Sequence, residues 1–121
     1  MRIGSVSPAS SKFYNKEVAI NELLAGGGGP ATASLTSVND SNVSQELLAA
    51  NPDRRGFIIY NDSTVILYVA YKATATTSDF TYRLTPTATL ECFGTKNYTG
   101  QISGIWASDA SGAARITELE T

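Results

Sequence analysis

Residues 54–71 have the sequence RRGFIIYNDSTVILYVAY, in which two dense apolar runs, 56–60 and 65–71, flank a short polar segment. Both runs are rich in β-branched and aromatic residues, which favour β-strands. Because each run is apolar on both faces and only a short turn separates them, we expect them to form a hairpin at the centre of the fold.

Weaker strand patterns lie on both sides of these runs. Alternation of apolar and polar residues predicts strands within 31–38 and 42–49, and within 78–84, 88–92, 101–107 and 113–119. Turn-forming segments such as Asn51-Pro52-Asp53 separate the strands. The pattern indicates an all-β fold, a small antiparallel β-sandwich or barrel of about seven strands between residues 42 and 119. The residues expected in its core are Phe57, Ile59, Ile66, Tyr68, Phe80, Tyr82, Leu90, Ile102, Trp106 and Ile116.

The first 40 residues differ in composition from the rest. Four successive glycines, Gly26 to Gly29, precede Pro30, and such a run does not belong in a regular element. We therefore divide the chain into an extended N-terminal arm, residues 1–40, with the glycines as its hinge, and a β-sandwich domain, residues 41–121. The apolar residues of the arm fit either a strand or a helical turn, and we expect them to bind a partner: Phe13, Tyr14, Val18, Ile20, Leu23 and Leu24.

Composition excludes several kinds of active site. The 121 residues include no histidine and a single cysteine, Cys92. A Ser-His-Asp triad, a Cys-His pair, a histidine metal site, an internal disulfide and a thiolate zinc site are therefore excluded. We expect no enzymatic activity, no cofactor and no metal, and we expect Cys92 to be a buried small apolar residue.

Charge and hydropathy exclude two classes of partner. The net charge is −2, whereas a nucleic-acid-binding surface normally needs a basic stripe, so we expect no nucleic-acid partner. No apolar run approaches the roughly 20 residues of a membrane helix, so we expect no membrane partner. No signal peptide is visible behind the first methionine, which favours synthesis in a cytoplasm.

Three further sets of side chains remain, two as candidate binding residues and one as a structural feature of turns. The pair Arg54-Arg55 is interpreted either as a partner-binding pair that forms ion pairs or as a solvated strand entry. Tyr71 and Tyr98 lie near strand ends and are the best candidates for an aromatic platform that would bind a sugar. The aspartates in turns, Asp40 among them, are expected to accept hydrogen bonds from the nearby backbone.

Several segments, in a fixed order, resemble small virion structural proteins of tailed bacteriophages. The resemblance extends from residue 47 to residue 118 and is carried by LAANPDRRG at 48–56, IYNDS at 59–63, LYV at 67–69, YTG at 98–100, GIWA at 104–107 and GAARITE at 112–118. Lys72, Thr87 and Cys92-Phe93 stand where the resemblance leads us to expect glycine, glycine and proline-type turn residues.

The resemblance implies a β-sandwich attached to the virus particle. We therefore expect a capsid decoration (cement) protein, located in the virion, that binds the major capsid protein or other virion proteins through the arm and loops. We also expect a homo-oligomer, with a trimer favoured. Two alternatives remain open: a tail, neck or head-fibre anchoring protein, and a carbohydrate-binding or receptor-binding module.

Overall fold

This computed structural model describes residues 32–121 of the chain. These residues form eight β-strands and one short 3-10 turn, joined by loops. The six arm residues predicted to bind a partner, Phe13, Tyr14, Val18, Ile20, Leu23 and Leu24, lie outside the described residues, as do the four glycines. The strands are β1 (Thr32–Asn39), β2 (Gln45–Leu48), β3 (Arg54–Asp62), β4 (Leu67–Ala70), β5 (Tyr82–Leu84), β6 (Thr89–Phe93), β7 (Ile102–Trp106) and β8 (Ala113–Glu120), and the 3-10 turn is Gly94–Lys96.

The strands form two four-stranded antiparallel sheets that enclose one apolar core. One sheet has the order β1-β8-β3-β6 and the other has the order β2-β7-β4-β5. The prediction of a small all-β sandwich is therefore confirmed, with seven strands after residue 42. The predicted strand within 31–38 is β1, which pairs with β8, so the predicted arm of residues 1–40 includes one strand of the first sheet.

The predicted central hairpin is wrong. Strand β3 pairs with β8 and β6, whereas β4 pairs with β5 and β7 in the opposite sheet. The polar segment between β3 and β4 crosses from one sheet to the other instead of reversing within a sheet. Asn61 fixes this crossing, because its side-chain amide donates hydrogen bonds to the carbonyls of Val65 and Leu84, both at 2.9 Å.

Four of the predicted core residues do not lie in the core. In β4 the buried residues are Leu67, Val69 and Ala70, so the predicted Tyr68 falls on the other side of the strand. The predicted Ile66 precedes β4, and both residues are half-buried. Phe80 and Tyr82 are 38% and 40% exposed. The strand expected from residue 78 begins only at Tyr82, because a turn in which residues 76 and 79 exchange backbone hydrogen bonds precedes it.

Arg54, predicted to bind a partner or to be solvated, lies instead in the interior and is only 2% exposed. Its guanidinium donates to the carboxylate of Glu118 at 2.9 Å, and to the carbonyls of Tyr98 at 2.7 Å and Gly100 at 3.0 Å. A fourth hydrogen bond reaches the carbonyl of Ala49. Burying a cation is tolerated when it is paired and its donors are satisfied, and Arg54 meets both conditions. Its donors therefore bind the chain's own loops and are not available to a partner.

A strained turn joins β5 to β6. Thr87 has φ of 70°, the left-handed region that favours glycine, and it follows Pro86 in a turn closed by a hydrogen bond from Ala88 N to Thr85 O. Positive φ at the third residue of a turn with proline at the second is typical of a type II turn. Thr87 is one of the positions at which the sequence resemblance led us to expect glycine.

We predict that R54A destabilises the fold by about 3–5 kcal/mol, because it leaves three loop carbonyls without this donor and leaves the Glu118 carboxylate with the longer bond from Asn51, at 3.3 Å, in place of an ion pair. The neighbouring R55A, at an exposed position, is the matched control and changes stability by at most about 0.5 kcal/mol. Urea unfolding followed by Trp106 fluorescence measures both. A loss in R54A no larger than in R55A would contradict the assigned role.

We predict that T87G stabilises the protein by about 1 kcal/mol, since glycine relieves a left-handed conformation that is unfavourable for a β-branched residue. The entropy of glycine in the unfolded chain offsets part of this gain. T85G, in the same turn but without a positive φ, is the control and is expected to be destabilising. Thermal unfolding of both variants is the measurement, and a lower melting temperature for T87G than for the original protein would refute the prediction.

Candidate functional site

Strand β1 is the most exposed strand of the sandwich. Seven of its eight residues are exposed and only Val38 is half-buried. Leu35 is 77% exposed, the highest value among the exposed large apolar residues of the described chain. Within the described residues β1 pairs only with β8, and both of its faces are open. The strand therefore extends beyond the area that the second sheet covers.

The backbone of β1 presents a row of hydrogen-bonding groups on its free side. The amide of Asp40 donates to the carbonyl of Gly112 at 3.1 Å, so the backbone at residue 40 points towards β8. Along an antiparallel strand this direction alternates from one residue to the next. The backbone groups that point away from β8 therefore belong to the odd-numbered residues Ala33, Leu35, Ser37 and Asn39.

The other three sheet edges carry features that discourage pairing, and β1 does not. Strand β6 has Glu91, β5 is three residues long and has Arg83, and β2 is four residues long, has Glu46 and is irregular in register. Charge, shortness and irregularity are the usual means by which edge strands avoid unwanted partners. Strand β1 has eight residues, TASLTSVN, with no charge and no proline.

Apolar side chains continue from β1 across the outer face of its sheet. Thr117 lies beside Leu35, and Ile58 lies beside Thr117 on the next strand. Leu119 lies beside Ala33 in the neighbouring row. Ile58 and Leu119 are half-buried. We use the term β1 surface for the free edge of β1 together with the side chains of Ala33, Leu35, Ser37, Ile58 and Leu119.

A network of hydrogen bonds holds the end of β1 against two loops. The carboxylate of Asp40 accepts from the hydroxyl of Ser63 at 2.7 Å and from the amides of Gly112 at 3.0 Å and Ala110 at 3.1 Å. Desolvation acts to raise the pKa of Asp40, but these three hydrogen bonds outweigh it and lower the pKa below its usual value of 3.8. The turn aspartates are expected from the sequence to bind their own local backbone, whereas Asp40 binds backbone amides 70 and 72 positions away in the sequence.

The predicted aromatic platform is not present at Tyr71 and Tyr98. Their rings stack on each other, with centroids 4.6 Å apart and planes 9° apart, and both side chains pack against the core. The hydroxyl of Tyr71 lies 3.0 Å from the sulfur of Cys92, and burial raises the pKa of Tyr71. Cys92 is 4% exposed, so its predicted burial is confirmed. Arg55, the remaining predicted partner-binding residue of the described chain, is exposed near the start of β3.

Two further findings concern residues 32–121. No group of three or more cysteine, histidine, aspartate or glutamate side chains in this part of the chain is placed to hold a metal ion. Within the same residues, no helix is long and apolar enough to cross a membrane.

We predict that the Asp40 network contributes stability that depends on pH. Because the pKa of Asp40 is lower in the folded protein, the contribution is complete well above pH 3.8 and is lost as the pH falls through the folded-state value. D40N, which weakens the bonds to Ser63 and Gly112, should cost about 1 kcal/mol at pH 7 and progressively less as the pH falls below 3.8. D53N, at an exposed turn aspartate, is the control. Urea unfolding at several pH values tests this, and a D40N cost that does not change with pH would contradict it.

Comparisons of the chain with models of protein families, with curated proteins and with solved structures find no match.

Proposed function

We propose that this protein is a non-enzymatic structural protein of a tailed-bacteriophage virion, most specifically a capsid decoration protein that binds the major capsid protein through its N-terminal arm and its loops. The observation that best supports this is the β1 surface, a long uncharged edge that lies within the last residues of the predicted arm and is open on both faces. A protein that repeats on a shell needs such a contact surface and does not need a catalytic cleft.

The use of polar side chains in the interior also supports a structural role. Arg54 and Asn61 are both buried, and each binds backbone carbonyls of loops. Satisfied buried polar networks of this kind make a fold rigid and fix loop positions. A rigid sandwich with fixed loops is suited to a protein that presents the same contact surface many times on a particle.

Repetition makes weak contacts sufficient for this function. Each copy needs to bind only weakly when neighbouring copies on the same surface hold it at high effective concentration. The arm residues Val18, Ile20, Leu23 and Leu24 supply the apolar contacts in this proposal, and Arg55 supplies an exposed cation beside the loops.

A tail, neck or head-fibre anchoring protein would use the same surfaces, and copy number separates this alternative from a decoration protein. In virus particles purified from cells that produce the chain, quantitative gel densitometry should give hundreds of copies per particle for a decoration protein. A few to a few dozen copies would support a neck or tail position instead, and absence of the chain from particles would refute a virion role. For a carbohydrate-binding module, the stacking of Tyr71 on Tyr98 does not support the aromatic platform expected at these two residues.

We predict that replacing Val18, Ile20, Leu23 and Leu24 together by serine reduces binding to capsids by about a hundredfold while the sandwich stays folded, because the loss of apolar contacts is multiplied over many copies. The control is V43S, which removes one exposed apolar residue outside the arm. Co-sedimentation with undecorated capsids measures binding, and the near-ultraviolet circular dichroism of Trp106 monitors the fold. Full binding by the arm variant would show that the arm is not the contact.

A further inference from the structure

We propose that the free edge of β1 pairs with the same edge of a second copy of this chain, in an antiparallel arrangement around a two-fold axis. The pairing would join two four-stranded sheets into one sheet with the order β6-β3-β8-β1-β1-β8-β3-β6. It is a self-association that holds whether or not the chain belongs to a virion, because it rests only on the described residues of β1 and its neighbours.

Charge identifies a second copy as the partner that this edge fits. Two-fold antiparallel pairing places the central residues of an edge strand close to the same residues of the partner strand. If β6 paired with itself, Glu91 would lie near the second copy's Glu91. In the same way, Arg83 would lie near Arg83 in a pair of β5 strands, and Glu46 near Glu46 in a pair of β2 strands. Like charges opposite each other destabilise a strand pair. Strand β1 itself has no charge. The charge beside it on the outer face is Arg115 of β8, which donates to the hydroxyl of Ser37 at 3.0 Å and forms an ion pair with Asp62 at 2.9 Å, so β1 pairs with itself without an unpaired like charge in the strand.

The direction of the backbone groups determines the register. The groups that point away from β8 belong to Ala33, Leu35, Ser37 and Asn39, as the hydrogen bond between Asp40 and Gly112 indicates. All of them find partners when Leu35 lies opposite the second copy's Ser37 and Ala33 lies opposite the second copy's Asn39. The two-fold axis then passes beside Thr36, which faces the second copy's Thr36 in a pair without backbone hydrogen bonds.

The same register matches the two faces of the joined sheet. Residues opposite each other in an antiparallel pair have their side chains on the same face. Leu35 of each copy would therefore lie on the outer face, in line with Thr117 and Ile58 of its own chain. The opposite face would carry the even-numbered hydroxyl residues of β1, Thr32, Ser34 and Thr36. Pairs of hydroxyl side chains across two strands are favourable.

The contact is small, so the proposed dimer is weak in solution. A strand of eight residues is about 27 Å long, and an edge contact of this length buries less than the roughly 1,200 Å² typical of a stable interface. We expect a dissociation constant on the order of 10⁻⁴ M. Two-fold pairing also gives a dimer rather than the trimer expected from the sequence, because an isologous contact closes after two copies.

A disulfide trap tests the register directly. Thr36 is exposed and lies at the proposed axis, where residues in a non-hydrogen-bonded pair are close enough for a disulfide. The T36C variant of the full chain should form disulfide-linked dimers under mild oxidation much faster than T89C, which has its cysteine on the charged edge strand β6. Cys92 is 4% exposed and is retained in both variants. Cross-linking of T36C no faster than that of T89C would overturn the pairing.

Sedimentation of the full chain between about 10 µM and 1 mM tests the surface without a covalent bond. The original protein should shift from monomer towards dimer over this range. L35K places a cation beside the axis in both copies and should raise the dissociation constant about tenfold or more. V43K makes the same kind of change at a residue that is 64% exposed and lies outside β1, and it should associate like the original protein. Equal association of L35K and V43K, or no association of the original protein, would refute the proposal.

Discussion

The guanidinium of Arg54 holds together the end of the sandwich at which β3 begins. It binds Glu118 within its own sheet, and it binds the carbonyls of Ala49, Tyr98 and Gly100 in the segments that follow β2 and precede β7 of the other sheet. One side chain therefore fixes the positions of both sheets at this end. Since a buried cation without these partners would be very unfavourable, the surrounding loops must adopt the conformation that supplies them.

Asn61 has the corresponding role at the other end of β3. Its amide group donates to the carbonyls of Val65, in a loop, and Leu84, at the end of β5, and its side-chain oxygen accepts from the indole of Trp106 at 3.2 Å. Strand β3 thus carries a buried polar residue at each end and an apolar core between them. Within residues 32–121, strand β1 lies outside this arrangement, because it pairs with β8 alone and Val38 is its one side chain that packs against the core. The part of the sandwich least needed for the core is therefore the part that is free to bind.

The fold class could be predicted from the sequence because alternation and turn residues are local signals. The pairing of strands could not, since the runs containing Ile59 and Val69 have the same apolar character whether they share a sheet or face each other across a core. The burial of Arg54 could not be predicted from the sequence either, because its acceptors at Tyr98 and Gly100 lie more than forty positions away along the chain. The sequence shows that β1 has no charged residue. This absence indicates a surface able to pair only once the structure shows that β1 is an edge strand.

Amide hydrogen exchange along β1, followed residue by residue by NMR at low protein concentration, tests most directly the claim that this strand presents a free edge. If β1 is bonded on one side only, the amides of Ser34, Thr36 and Val38 exchange slowly, and those of Leu35 and Ser37 exchange at rates close to those of an unprotected chain. This alternation of slow and fast exchange is the expected result. Equal and strong protection of both sets in the dilute monomer would contradict it, because another segment of the same chain would then occupy the edge.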